Sequence, residues 1–307
     1  MTKFKIKDSV WSVLKEGLKI YFTNFLKFTQ YMLFPVFGQI IGVGLIFGLS
    51  GWLAQEIPFL AEKYSFFNSF TTITLALVLI TVPGFVIFLK AFWDYLVAYG
   101  ALNSMTEAVI TTGKLYDFKA HNEVVTTRSM KFIFLLLLIS ILSLVAINPL
   151  FWVLGMIFFI YFVLVFQVFT FEPEASITGC FKRSFMLIKG NFARTFLIML
   201  FLGIISHYLI NIGVAALFDV VRLSEFFKGI FENWASTLPL NDVNNTLMYF
   251  KMPTITPLMI ANEILASTIL FAVAGLTLPM RSICWTLWYK NLSDVKAENH
   301  TKKKSGK

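Results

Sequence analysis

From Phe25 to Leu53 the chain carries a single charged residue, Lys27. Five further apolar stretches follow, Phe70–Tyr99, Lys131–Ile147, Leu150–Phe171, Phe192–Phe218 and Pro257–Trp288. The hydrocarbon core of a bilayer is about 30 Å thick and takes about 20 apolar residues of helix to cross. Six stretches of this kind in 307 residues predict an all-α polytopic membrane protein with six transmembrane helices. The chain is 57% hydrophobic and 14% charged, whereas a soluble domain carries about 25% charged residues. That removes a soluble globular fold. The expected organisation is one integral membrane domain over 1–292, then a basic, disordered cytoplasmic tail over 293–307. Several stretches are longer than a bilayer needs, which predicts tilt or helix beyond the lipid. Pro83-Gly84 predicts a kink in the second span, and Asn148-Pro149 a tight turn between the third and fourth.

Charge sets the expected orientation. With six spans and the N-terminus inside, 22 of the 26 Lys and Arg residues fall in cytoplasmic segments. Basic residues collect on that side, so both termini are expected in the cytoplasm and the chain in the plasma (bacterial inner) membrane. The net charge of +9 is then a membrane signature, and no nucleic-acid partner is expected. The first apolar stretch starts too late and runs too long for a cleaved secretion signal, so the N-terminus is expected to be retained. Anionic lipids at the cytoplasmic face are the expected partners, beside other membrane proteins.

Two segments before the spans are amphipathic. Ile177, Phe181, Phe185, Ile188 and Phe192 recur at helical spacing, with Lys182, Arg183 and Lys189 off that stripe. Gly190-Asn191 then breaks the pattern, and Asn191 suits an N-cap. Val10, Leu14, Leu18, Tyr21 or Phe22, and Phe25 repeat the arrangement. The spacing predicts helices over Asp8–Phe22 and Ala175–Lys189 lying along the cytoplasmic surface. Asn24-Phe25 and Asn191-Phe192 stand 167 residues apart, and the same offset pairs Lys15 with Lys182 and Lys27 with Arg194. A weaker third copy, with Leu115, Phe118 and Val125, precedes Arg128 and Lys131. The pattern suggests repeated units, each an interfacial helix followed by a transmembrane hairpin.

The stretch EASITGCFKRSFMLIKGNFARTF, with Ala175, Arg183, Ser184, Lys189, Gly190, Asn191 and Phe192, resembles the bacterial glycerophosphoryl diester phosphodiesterase membrane-domain proteins and their relatives. TLWYKNL, through Leu287, Tyr289 and Leu292, is similar to that family's closing stretch. The family's aspartate after the Tyr is replaced by Lys290-Asn291. The resemblance implies a six-helix membrane domain. It implies no phosphodiesterase activity, because the named enzymes carry their catalysis on a separate soluble barrel that these 307 residues do not contain.

Polar groups at membrane depth are the remaining candidates. His207, Asn211 one turn on, and Glu263 fall at similar counted depths and form a candidate intramembrane polar site. The alternative is helix–helix hydrogen bonding. Lys90 and Asp94, four apart, suit an interfacial ion pair. Gly38-x3-Gly42 and Gly44-x3-Gly48 suit close helix packing. Leu223, Phe226, Phe227, Ile230 and Trp234 predict an outer-face interfacial helix or a lid docked on the bundle. Asn244-Asn245-Thr246 fits a glycosylation sequon. His121, His207 and His300 are too scattered for a metal cluster, and Cys180 and Cys284 form no disulfide framework. No catalytic set or cofactor motif is legible. The expected function is therefore non-enzymatic: organisation of lipids or partner proteins at the cytoplasmic face. The alternative is a small-solute or lipid transporter using His207, Asn211 and Glu263.

Overall fold

A computed structural model describes residues 9–115, 117–147 and 149–305. Among these residues the regular structure is all helical: α1 (Val10–Thr23), α2 (Phe25–Lys63), a 3-10 turn (Ser65–Asn68), α3 (Phe70–Thr112), α4 (Phe118–Thr126), α5 (Ser129–Ile147), α6 (Trp152–Phe162), α7 (Val165–Phe171), α8 (Ile177–Ile188), α9 (Phe192–Gly203), a π-helical turn (Ile204–Leu209), α10 (Ile210–Val220), α11 (Leu223–Ala235), α12 (Leu240–Tyr249), α13 (Pro257–Leu276) and α14 (Leu278–Ser305). Five helical segments are long and apolar enough to cross a membrane, and a sixth joins them if α4 and α5, bent by 74°, count as one span. The protein is an all-α polytopic membrane protein.

Four apolar stretches begin where their helices begin, at Phe25, Phe70, Phe192 and Pro257. Their ends differ. Hydropathy marks where lipid stops, but a helix propagates until something stops it. For α3 that is Gly113, left-handed at φ 71°, whose N–H bonds to Val109 O. The last stretch was expected to continue to Trp288. It breaks at Thr277 instead, two residues before Pro279, which has no N–H to continue the helical ladder and sits in the first turn of the next helix. The fourth stretch breaks between Phe162 and Val165. α3 runs through Pro83 as a single helix. The tail read as disordered carries helix through Ser305. Its Ala, Glu and Lys residues are good helix formers, and it extends a helix already anchored upstream. Asp8 and Asn148 lie outside the described residues.

The domain expected over 1–292 divides into two compact units. The first comprises 1–31, 96–204 and 277–307. Its centre is α7, in which Val165 to Phe169 are buried consecutively, as only a helix enclosed on all sides can be. α1 packs on α14 and buries Val13, Leu14, Gly17, Ile20 and Tyr21. A Cβ at Gly17 would meet Cys284 Sγ, so the two helices touch backbone to side chain there. α8 buries Cys180, Ser184, Leu187 and Ile188. These faces correct the expected stripes, which had Val10 and Leu18 on α1 and Phe181 and Phe185 on α8. Both amphipathic helices pack on protein, and the phenylalanines stand at the edge, Phe181 against Phe162 and Phe185 against Tyr161.

The buried faces keep the 167-residue register. Val13 and Cys180, Gly17 and Ser184, Ile20 and Leu187, Tyr21 and Ile188 are each buried pairs at that offset. At an offset of 104, Gly17 matches His121, Tyr21 matches Val125 and Phe28 matches Phe132, all buried. In each copy the residue at the break offers its carbonyl to the first turn of the next helix: Asn24 to Phe28, Arg128 to Phe132, Asn191 to Thr195. α1, α4 and α8 are thus three copies of one device, an amphipathic helix, a break and a membrane helix.

The second unit comprises 32–95 and 205–276. Here the α2 segment crosses the α3 segment closely. Cβ atoms at Gly38 and Gly42 would meet Ala91 and Phe88, and one at Gly84 would meet Gly42 O. Gly44 and Gly48 face open space, so only the first of the two glycine pairs serves packing. Leu265, Ile269 and Val273 of α13 form a seam with Ile210, Val214 and Phe218 of α10 and Phe227 and Phe231 of α11. α11 is docked on this seam through Phe227 and Phe231, with Phe226 and Ile230 left exposed. Asn244 is half-buried and clamps Ile255 with both amide atoms, accepting from its N–H at 2.7 Å and donating to its carbonyl at 2.9 Å. That gives the sequon asparagine a structural role.

Candidate functional site

The polar chemistry of the first unit gathers around α7. Asn103 of α3 is 1% exposed. Its Oδ1 accepts from Ser282 Oγ at 2.8 Å, Gln167 Nε2 at 3.2 Å and Thr286 Oγ1 at 3.3 Å. Its Nδ2 donates to Phe166 O and Thr170 Oγ1, both at 3.3 Å. One side chain thus ties α3, α7 and α14 together. Beside it, Trp288 Nε1 donates to Thr195 Oγ1 at 3.0 Å, which brings in α9.

Charge surrounds the C-terminal end of α7, where the helix dipole favours cations. Arg128 donates to Phe169 O at 2.7 Å, and its guanidinium lies 4.4 Å from the Phe169 ring centre. Lys131 donates to Pro173 O at 3.0 Å and lies 5.7 Å from the same ring. Lys290 pairs with Glu107 at 2.8 Å, with its ammonium 5.5 Å from the Phe171 ring. Glu172 Oε1 accepts from both Arg183 Nε and Tyr289 OH at 2.8 Å. Burial first, then the Glu172 carboxylate, pushes the Tyr289 hydroxyl well above its ordinary range. Burial likewise raises the Cys180 thiol, and such a thiol is unreactive.

The residues of the two family-like stretches meet here. Arg183 and Tyr289, 106 positions apart in the sequence, share Glu172. Ser184 donates to Tyr161 O at 2.8 Å. Gly190 takes φ 90°, a conformation that suits glycine, and so turns α8 into α9. Asn191 offers its carbonyl to Thr195, and Phe192 packs on the Tyr161 ring. Ala175 N–H bonds to Glu172 O. Lys189 is exposed as the last residue before the turn. Lys290 takes Glu107 as its counter-ion.

The intramembrane candidates lie in the second unit. His207 sits in the π-helical turn and is exposed, and Asn211 is half-buried with a buried Oδ1 that has no hydrogen-bond partner. Glu263 is exposed on α13 and accepts from Ser267 at 3.4 Å. It lies two residues from both Ala261 and Leu265, so about 200° around the helix from the packed face. The packed α10–α13 seam holds apolar side chains. Lys90 and Asp94 form their expected pair.

Between α3, α5, α6, α7 and α9 the first unit holds a partly open apolar cavity of about 160 Å³, walled by Tyr99, Ile139, Leu142, Phe159, Phe166 and Met199 among others. Among the described residues no cluster of His, Cys, Asp or Glu has the spacing to hold a metal.

Comparison with protein-family models, curated proteins and solved structures finds no match for this chain.

Sequence reasoning did not single out Asn103, Gln167 or Glu172. Asn103 lies just past the last apolar residue counted into span two, and Glu172 just past span four. The useful signal was their position at span ends, where a polar residue can still be enclosed by neighbouring helices.

Proposed function

We propose that this chain is a non-enzymatic protein of the plasma membrane, both termini cytoplasmic, that gathers anionic lipids and the proteins held with them at the face of its amphipathic helices. One observation carries the reading. Lys15, Lys19, Lys27, Lys114, Lys119, Lys182, Lys189 and Arg194 are exposed on or beside α1, α4 and α8, and among the described residues none takes an ion pair. A basic residue near an anionic membrane surface contributes about 1 kcal/mol of attraction, and eight unneutralised ones give a large field. The inward faces of the same helices are committed to protein packing, which fixes the cations in place. The resemblance to the membrane-domain family enters only as support for a membrane domain. The transporter alternative has less to stand on, because His207 and Glu263 both occupy exposed positions.

The test is the lipid that leaves the membrane with the protein. Extracted in mild detergent from native membranes, the protein should carry anionic phospholipid enriched over the bulk composition. The triple variant Lys15→Gln, Lys19→Gln, Lys182→Gln should lose most of that enrichment. Co-purifying lipid of bulk composition, unchanged in the variant, would overturn the proposal.

A further inference from the structure

One wall of the apolar pocket of the first unit comes from α5, the helix that also carries Lys131. Lys131, Ile139 and Leu142 share a stripe of α5. At 3.6 residues per turn, Ile139 lies about 80° and Leu142 about 20° around the axis from Lys131. At 1.5 Å per residue they lie about 12 and 16 Å further along it. One leaflet of hydrocarbon is about 15 Å deep, half of a ~30 Å core. The cation and the cavity are thus one leaflet apart on one face.

The opposite wall has the same layout. Phe166 lines the cavity, and Phe169, one turn on, carries both Arg128 and Lys131 over its ring. Phe132 packs on both rings, with centres 5.6 and 5.4 Å away. Lys131 has one hydrogen bond, to Pro173 O, and an ammonium has three donors. Arg128 uses two of its five N–H donors, one on Nη1 to Phe169 O and one on Nη2 to Val124 O. Glu172 is already committed to Arg183 and Tyr289. Glu174 acts electrostatically on Arg128, so a bound anion must share the site with it. A cavity of about 150 Å³ lined by Leu, Ile and Phe stays dry and takes up an apolar group the size of benzene. The cavity here has a similar volume and a lining made chiefly of Phe, Leu and Ile, and it is partly open; in a bilayer the apolar group within reach is the end of an acyl chain.

From this geometry we infer a structural lipid site: an anionic phospholipid with its phosphate on Lys131 and Arg128 and the end of one acyl chain in the Tyr99–Leu142–Phe159 cavity. The inference rests on the lipid-gathering reading and narrows it to one site and one leaflet.

The test uses the full-length protein in detergent, with phosphatidylglycerol and phosphatidylcholine of identical chains as probes, read by native mass spectrometry. Phosphatidylglycerol should be retained in preference. Lys131→Gln should weaken it about fivefold, the factor for a lysine contributing about 1 kcal/mol, and Lys131→Arg should restore it. Leu142→Trp, which fills the cavity, should weaken both lipids alike. A second measurement needs no variant. Phosphatidylglycerol with a photoreactive group at its chain end should attach to peptides spanning 139–142 and 155–166. Attachment elsewhere, or retention indifferent to Lys131, overturns the site. If anionic lipid is still enriched in that case, the broader proposal stands. If no anionic lipid is enriched at all, both fall.

Discussion

Asn103 Oδ1 takes three donors where water does not reach. Truncating it leaves Gln167, Ser282 and Thr286 without their acceptor, and each buried group left unsatisfied costs about 1–3 kcal/mol. Asn103→Ala should therefore destabilise the first unit by about 2–4 kcal/mol, seen as a large drop in the melting temperature of the detergent-solubilised protein. Asn103→Asp should not restore it, because the carboxylate cannot donate to Phe166 O and Thr170 Oγ1. His121 makes a second residue-scale prediction. It is buried in α4 with Nδ1 3.0 Å from Ser104 Oγ. Burial lowers its pKa, against an opposing pull from Asp117. The unfolded state then binds more protons than the folded state just below the ordinary value of about 6.5. Stability from neutral His121 is complete above that pH and is lost as pH falls toward the lowered folded value. The melting temperature should drop between pH 7.5 and 5.5, and His121→Gln should remove most of that dependence. Residues of this kind were hard to read from sequence. Cys180, Ser184, Gly17 and His121 all face inward, yet none is a large apolar residue, so a stripe drawn through Phe, Leu and Ile misses the true face of each helix.

At the scale of elements, the amphipathic helices were legible because a break follows each one. Asn24, Arg128 and Asn191 each end one helix and feed its carbonyl to the next. Span starts were legible for the same reason. Span ends were not, since α2 and α3 continue past their apolar stretches, and the break at Thr277 lies inside a stretch that hydropathy reads as one span. What the helices pack on was also illegible. α1 docks on α14 across nearly the whole sequence, and periodicity holds no information about a partner. Gly17→Val tests that docking. Its side chain has no room against Cys284 Sγ, and overpacking of this kind costs about 1–3 kcal/mol. Cys284, fully buried, should resist maleimide in the native protein. In Gly17→Val it should react without denaturant. Continued inertness at an unchanged melting temperature would mean that α1 and α14 are not in contact at Gly17.

For the whole molecule, the three-copy pattern makes one demand. α1, α4 and α8 must lie on the same side of the membrane, because a hairpin of two spans separates each from the next. The lipid reading depends on this, since cations divided between two surfaces do not make one field. Cys180 and Cys284 are buried, so single reporter cysteines can be added without background. The decisive measurement places a cysteine at Lys15, Lys119, Lys182 or Lys228 in turn. Each variant is then labelled with a membrane-impermeant maleimide in sealed vesicles of known orientation. The account predicts that positions 15, 119 and 182 label together from the cytoplasmic side and that 228, one span later, labels only from the other. Labelling of any one of the first three from the opposite side would contradict it.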